Sequence, residues 1–290
     1  MKSGFVSIVG RPNVGKSTLL NNIMKSKLAI ISNKPQTTRN NIQGIYNDNE
    51  HQIVFIDTPG IHKPKHRLGK VLNDRAYSCM NEVDVILFLV DVCDGIGPGD
   101  KFIIERLNKM NKPVILVLNK IDTIKKEMIL KIIDAYKDLG NFNEIVPISA
   151  LKGENVDVLI SVIKKYIVDP IKYYENDCIS DVTKEFLISE YVREKILNLT
   201  DDEIPHSTTC MVENIKENKQ LIEIDVLIIV EREGIKKIII GKNGDKIKEI
   251  GTKARIDIEK LLQKKVFLKL YVKCIPKWRD KEKHLSKLGF

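Results

Sequence analysis

The chain has 290 residues, is 43% hydrophobic and 30% charged, and carries a net charge of +9 at pH 7. That length suits two domains with ample core, and the balance is that of an ordinary soluble protein. A membrane span is excluded, because the strongest apolar run, 83–92, is short and is broken by Asp84 and Asp91.

The first strand-like run is Phe5-Val6-Ser7-Ile8-Val9. It leads into Gly10-Arg11-Pro12-Asn13-Val14-Gly15-Lys16-Ser17 and then, from Thr18, into a segment of helical spacing. This is strand, glycine loop, helix, with G-x-x-x-x-G-K-[ST] in the middle. The two glycines let the backbone curl so that its N–H groups form an anion-binding nest at a helix N-terminus. Lys16 adds a point charge for the outer phosphates, and the Ser17 hydroxyl is placed to ligate Mg²⁺. Residues 10–18 are expected to bind a nucleoside triphosphate.

A polar stretch, 32–41, follows without periodicity and reads as a loop. Two strand-like runs, 43–47 and 52–56, flank Asn47-Asp48-Asn49 and predict a hairpin. The second runs into Asp57-Thr58-Pro59-Gly60. An acidic residue at the end of a buried strand, followed by glycine, is where a phosphate-loop fold holds Mg²⁺ and senses the γ-phosphate. The polar loop ahead of the hairpin is then the place for a second switch, with a threonine closing on the metal.

Strands at 85–90, 113–118 and 145–148 then alternate with helices at 101–110, 125–139 and 156–168. Such alternation predicts an α/β domain over 1–170, built on a mostly parallel, six-stranded sheet with helices on both faces. Ligands then sit beyond the carboxyl ends of the strands. Asn119-Lys120-Ile121-Asp122 occupies one of those ends. A carboxylate at Asp122 can accept both N–H donors of guanine's Watson–Crick edge, which adenine lacks. A site built on such bonds rejects the wrong base by about 10⁴–10⁵. Asn119 would tie the loop to neighbouring backbone, and the Lys120 stem can cover the base face. Ser149-Ala150-Leu151 closes the same edge with a small residue that leaves room for a purine carbonyl. Four motifs in this order read as a GTPase.

Asp169-Pro170 ends that domain, and 171–181 reads as a linker. The rest, 182–290, predicts an amphipathic helix over 183–199, strands at 209–213 and 221–230, and an apolar run, 234–240. That run leads into Gly241-Lys242-Asn243-Gly244. A charged helix pair, 245–250 and 252–262, precedes a last strand at 266–273. Residues 232–290 hold 18 Lys and Arg against 7 Asp and Glu, whereas 171–231 hold 6 against 14. A basic tail of this kind points to a polyanionic partner. A G-x-x-G between an apolar run and a lysine-bearing helix, in an α+β segment, has the layout of a type II KH module, which clamps single-stranded RNA by its backbone. Lys246, Lys248, Lys253 and Arg255 would line the groove, with Ile239, Ile240 and Ile247 against the bases. The N-terminus shows no signal-peptide layout, and five scattered cysteines without a C-x-x-C pair fit a reducing cytosol.

With these motifs in hand, the chain resembles the Era family of bacterial ribosome-assembly GTPases over essentially its whole length. Gln36-Thr37-Thr38-Arg39, Ser189-Glu190-Tyr191-Val192-Arg193-Glu194-Lys195-Ile196 and Lys277-Trp278-Arg279 add to the likeness. The resemblance implies a monomer that binds GTP and GDP, the 3′ end of small-subunit rRNA and the 30S precursor, in the cytoplasm. It also implies loose association with the inner membrane face, and a Mg²⁺-contacting switch threonine at Thr37 or Thr38, of which Thr38 is favoured. Lys16, Thr38, Asp57 and Gly60 then carry the chemistry, and Ser17, Thr38 and Asp57 the metal. Ile61 stands directly after Gly60, where Ras-type enzymes place a water-orienting Gln, so intrinsic hydrolysis should be slow. Relatives with Asn at the position of Asn13 imply a bound K⁺ as the missing positive charge. Two readings stay open: a switch in which hydrolysis times RNA release, or an assembly factor in which GTP binding matters and hydrolysis is incidental.

Overall fold

A computed structural model describes residues 1–64 and 66–290, and its chain divides into two units. The first takes most of residues 1–181; the second takes 182–290 together with 30–37 and 66–68. The first unit contains β1 (Lys2–Val9), α1 (Lys16–Met24), β2 (Ile42–Asn47) and β3 (His51–Asp57). After α2 (Arg67–Glu82) come β4 (Val85–Asp91), α3 (Pro98–Leu107), β5 (Val114–Asn119), α4 (Lys126–Lys137), β6 (Glu144–Ile148) and α5 (Val156–Lys164). The sheet order is β2-β3-β1-β4-β5-β6, with β2 antiparallel to β3 and every other neighbour pair parallel. Every residue of β4 and β5 is buried, as expected for strands covered on both faces. Parallel pairing brings the carboxyl ends of β1, β3, β5 and β6 to one edge of the sheet, which positions the site.

Helix α3 starts at Pro98, ahead of the expected 101. Proline suits the first helical position because its missing N–H is not needed there, and the Asp100 carboxylate accepts the Gly97 N–H at 2.9 Å. Helices α4 and α5 end before the expected 139 and 168. Helix α2 was not foreseen. It buries Leu72, Ala76, Cys79 and Met80 behind a sequence otherwise rich in Asn, Asp and Arg. Residues 171–181 lie against β2 and β3. The buried Gln52 side chain accepts the N–H groups of Tyr173 and Tyr174 at 2.9 Å each and donates to the Tyr174 carbonyl, and Ile45 N–H donates to the Ile179 carbonyl at 3.0 Å.

The second unit begins with α6 (Lys184–Leu199), capped by the Thr183 hydroxyl, which accepts the Phe186 N–H. Strands β7 (Thr208–Glu217) and β8 (Ile222–Val230) pair antiparallel; α7 (Glu233–Ile240) and α8 (Asp245–Leu262) follow, then β9 (Val266–Cys274), parallel to β8, and a short α9 (Glu282–Lys287). The apolar run 234–240 is thus a helix. The expected helix pair is the single helix α8, which runs through Gly251. A mid-helix glycine costs about 1 kcal/mol against alanine and need not break the helix. The helices and one sheet face share a core of Ile188, Val192, Ile224, Val226, Ile228, Ile239, Ile250, Ala254 and Ile258.

Candidate functional site

At the end of β1 the loop closes with Gly15 at φ 101°, a left-handed conformation in which a Cβ would lie 2.3 Å from Asn119 Nδ2. Only glycine satisfies both demands. Lys16 is buried, and its Nζ donates to the carbonyls of Arg11 at 2.8 Å and Gly10 at 3.3 Å. Burial pushes the Lys16 ammonium down to about 8, opposed by the charge of Asp57. A desolvated cation in a nest of backbone N–H groups has high affinity for phosphate oxygens. Val14 and Pro59 are buried supports. Thr58 is fully buried and donates its hydroxyl to the Ile8 carbonyl at 2.8 Å, so it fastens β3 to β1. Pro12 packs against Gly60, and Thr18 lies in the first turn of α1.

Three oxygens meet at the start of α1. Ser17 Oγ lies 2.6 Å from Asp57 Oδ2 and 2.8 Å from Thr38 Oγ1, and Thr38 Oγ1 lies 3.2 Å from the same carboxylate oxygen. Asp57 is buried and its Oδ1 has no hydrogen-bond partner among the described residues. Burial pushes this carboxyl up to about 6, with Lys16, Ser17 and Thr38 pulling it back. One carboxylate and two hydroxyls, with an orphaned buried oxygen, fit Mg²⁺, which keeps waters and phosphate oxygens for its other positions. The Thr37 hydroxyl donates to the Lys34 carbonyl at 2.6 Å.

Asn119 joins three loops. Its Nδ2 donates to the Val14 carbonyl at 2.8 Å, and its Oδ1 accepts the Ala150 N–H at 2.9 Å. The phosphate loop and residues 149–151 are thus fixed to the end of β5, each bond contributing about 1 kcal/mol net. Lys120 sits at φ 70° and pairs with Asp91. The Ser149 hydroxyl and Lys152 hold the Asp122 carboxyl below the usual carboxylate range. Asp122 is therefore ionised at neutral pH, as an acceptor for two N–H donors must be. Ala150 is buried and Leu151 is exposed.

In the second unit, Gly241, Lys242, Asn243 and Gly244 join α7 to α8, with Lys242 and Asn243 exposed. Beside this loop, Lys248, Arg255 and Ile247 on α8 face Phe267, Leu268 and Leu270 of β9 across a groove of about 330 Å³. The other expected contacts fall elsewhere. Lys246 donates to the Leu199 carbonyl at the end of α6, Lys253 pairs with Glu249 one turn back, and Ile239 is in the core. Residues 248, 251, 252 and 255 share one helical face, whereas 246 and 253 lie on another; helical spacing alone could have separated them. Sequence reading missed three carboxylates between the last residue of β4 and the first turn of α3, those of Asp91, Asp94 and Asp100, none of which belongs to a motif.

Residues 5–120 match the family described as 50S ribosome-binding GTPase, and residues 203–279 the KH domain. GTPase Era of Staphylococcus haemolyticus is 50% identical over the whole chain, which covers 97% of it. A crystal structure of an Aquifex aeolicus Era variant bound to GDP and aluminium fluoride superposes with a TM-score of 0.96 at 44% identity, over 100% of this chain and 99% of that one. A structure of Era with MgGDPNP and nucleotides 1506–1542 of 16S ribosomal RNA gives the same TM-score, identity and coverage.

Proposed function

The chain belongs to the Era family of GTPases, and on that premise we propose that it is a nucleotide-timed, RNA-binding switch in assembly of the small ribosomal subunit. Its KH unit would hold the 3′ end of small-subunit rRNA, as nucleotides 1506–1542 are held in the related complex. One observation supports the reading: one chain holds both an Asn119–Asp122 loop tied to the phosphate loop and a G-x-x-G loop leading into a helix whose Lys248 and Arg255 line a groove. Bound Mg²⁺ would supply charge neutralisation at the β- and γ-phosphates. Ser17, Thr38 and Asp57 would orient that ion's coordination shell, Lys16 would balance phosphate charge, and Gly60 would leave room for the γ-phosphate to reach the backbone. The protein acts as a cytoplasmic monomer. Its association with the membrane face would be loose and peripheral; among the described residues no helix is long and apolar enough to cross a membrane.

Hydrolysis without a partner is slow in this reading. Ile61 is buried in the core behind the sheet, and its N–H donates to the Gly10 carbonyl at 3.1 Å. A core-facing aliphatic side chain cannot orient water. K⁺ would supply the missing charge through Asn13, whose residue is exposed at φ 66° on the crest of the phosphate loop. GTPase rates in matched K⁺ and Na⁺ buffers are expected to differ by about tenfold or more, a share of the effect that a full positive charge has on phosphoryl transfer. Equal rates remove K⁺ from the proposal.

The buried Ile61 also favours a second reading, an RNA-binding assembly factor whose hydrolysis is incidental. Crosslinking to total cellular RNA, with GDP and then with GTP and a non-hydrolysable GTP analogue compared over time, separates the outcomes. The switch reading expects crosslinks at the 3′ end of small-subunit rRNA that persist with the analogue and decay at the hydrolysis rate with GTP. Decay at one rate in both favours the second reading, and absence of rRNA crosslinks overturns both.

A further inference from the structure

The segment from the end of β4 to the first turn of α3 carries no nucleotide motif, yet its carboxylates face two nucleotide loops. Asp91 pairs with Lys120 of the guanine loop and accepts the Cys93 N–H at 2.9 Å. Asp94 Oδ2 lies 3.2 Å from Arg11 Nη2. Asp100, whose side chain has no solvent exposure, places Oδ1 3.0 Å from Arg11 Nε while its Oδ2 accepts the Gly97 N–H. The Arg11 side chain runs along residues 97–99: a Cβ on Gly99 would come within 2.9 Å of Arg11 Cδ. This is a slot built to the shape of one side chain, ending on a buried anion.

The other end of Arg11 bears on the phosphates. Its carbonyl accepts from Lys16 Nζ at 2.8 Å. A single residue therefore joins a buried carboxylate at the start of α3 to the ammonium that faces the outer phosphates. The Arg11 guanidinium is already met by two carboxylates, so it is not spare charge for the nucleotide. Removing Arg11 leaves the buried Asp100 carboxylate uncompensated, and removing the Asp100 charge leaves the guanidinium held by the exposed Asp94 alone, so in either case the segment must rearrange. Here the rearrangement would move the Arg11 backbone and, with it, Lys16.

Resting on the reading of residues 10–17 as the phosphate loop, the geometry points to Arg11 as a positioning residue, clamped by Asp94 and Asp100, that sets where the Lys16 ammonium meets the β-phosphate. Through Asp91 and Lys120 the same connection braces the guanine loop, so one unmotivated segment holds both ends of the nucleotide site. The positioning acts on diphosphates and triphosphates. GMP has no β-phosphate and escapes it.

The test is competition of GDP and of GMP against a fluorescent GDP, using the full chain. Asp100→Asn keeps an oxygen for the Gly97 N–H and removes the charge. It is expected to weaken GDP about tenfold while GMP stays within about twofold, the scale on which small misplacements of a positioned group act. Arg11→Lys, which keeps a cation for Asp100, should retain more GDP affinity than Arg11→Ala. The double variant Arg11→Ala/Asp100→Asn should bind GDP no worse than Arg11→Ala alone, because the two residues form one device. Equal weakening of GDP and GMP would mean general loosening and overturns the proposal; so does an unchanged GDP affinity or additive losses in the double variant. Should Asp100→Asn fail to fold, Asp94→Asn at the exposed end of the clamp carries the test, with a smaller loss for GDP alone expected. A wild-type chain that binds no GDP would instead overturn the reading of the phosphate loop.

Discussion

Asp122→Asn is expected to lower GTP affinity by about 10⁴-fold and to move preference to xanthosine triphosphate, because a site built on hydrogen bonds is left with unmatched groups. Guanine presents two N–H donors along its Watson–Crick edge. The Asp122 carboxyl, kept ionised by Ser149 and Lys152, is acceptor-only and meets both. An Asn side chain offers one acceptor and one NH₂ donor, so one guanine donor faces another donor. Xanthine carries a carbonyl oxygen in place of the exocyclic amine and restores the match. The surrounding frame should survive, since Asn119 still fixes the loop through Val14 and Ala150. Competition of GTP and xanthosine triphosphate for one labelled nucleotide reads the result. Undiminished GTP binding refutes the role given to Asp122.

How much of this could be read from the sequence depended on whether a feature was local. The phosphate loop, Asp57, the guanine loop and residues 149–151 each declare themselves within a few residues, and parallel strands must bring them to one edge. Helix α2 is local too, yet it was missed: Leu72, Ala76 and Met80 recur every four residues, but the charged and amide residues between them hide the stripe. The division of α8 was misread because Gly251 looks like a breaker. The structure keeps the helix whole, with Ile250, Ala254 and Ile258 buried on one face. Tertiary burial outweighs one glycine. The Arg11 clamp lay beyond reach for a different reason. Its partners are 83 and 89 positions away, and only the fold brings a carboxylate on α3 against the second residue of the phosphate loop. Lys246 and Lys253 illustrate the converse: a count of positive charges does not say which face of a helix each one occupies.

The loop between α7 and α8 bears the other large prediction. Lys242→Asp together with Asn243→Asp is expected to weaken RNA binding by about a hundredfold, to flatten its salt dependence by about one phosphate contact, and to leave unstimulated GTP hydrolysis unchanged. The substitution is chosen so that the backbone survives. Asn243 has φ 54°, a left-handed conformation that Asp also tolerates, and both side chains are exposed. Gly241 is a poor choice by comparison: at φ 76°, with a Cβ 2.9 Å from the Lys246 backbone nitrogen, any side chain there would distort the loop and confound charge with shape. Two aspartates replace a phosphate-attracting lysine and an amide with repulsion, while Lys248 and Arg255 remain in the groove, so a residual, weaker RNA affinity should persist. A loss smaller than about threefold would deny the G-x-x-G loop its phosphate contact. Hydrolysis that falls along with RNA binding would mean the nucleotide site and the RNA groove are not separable modules, because neither substituted residue belongs to the unit that holds Lys16, Asp57 and Asp122.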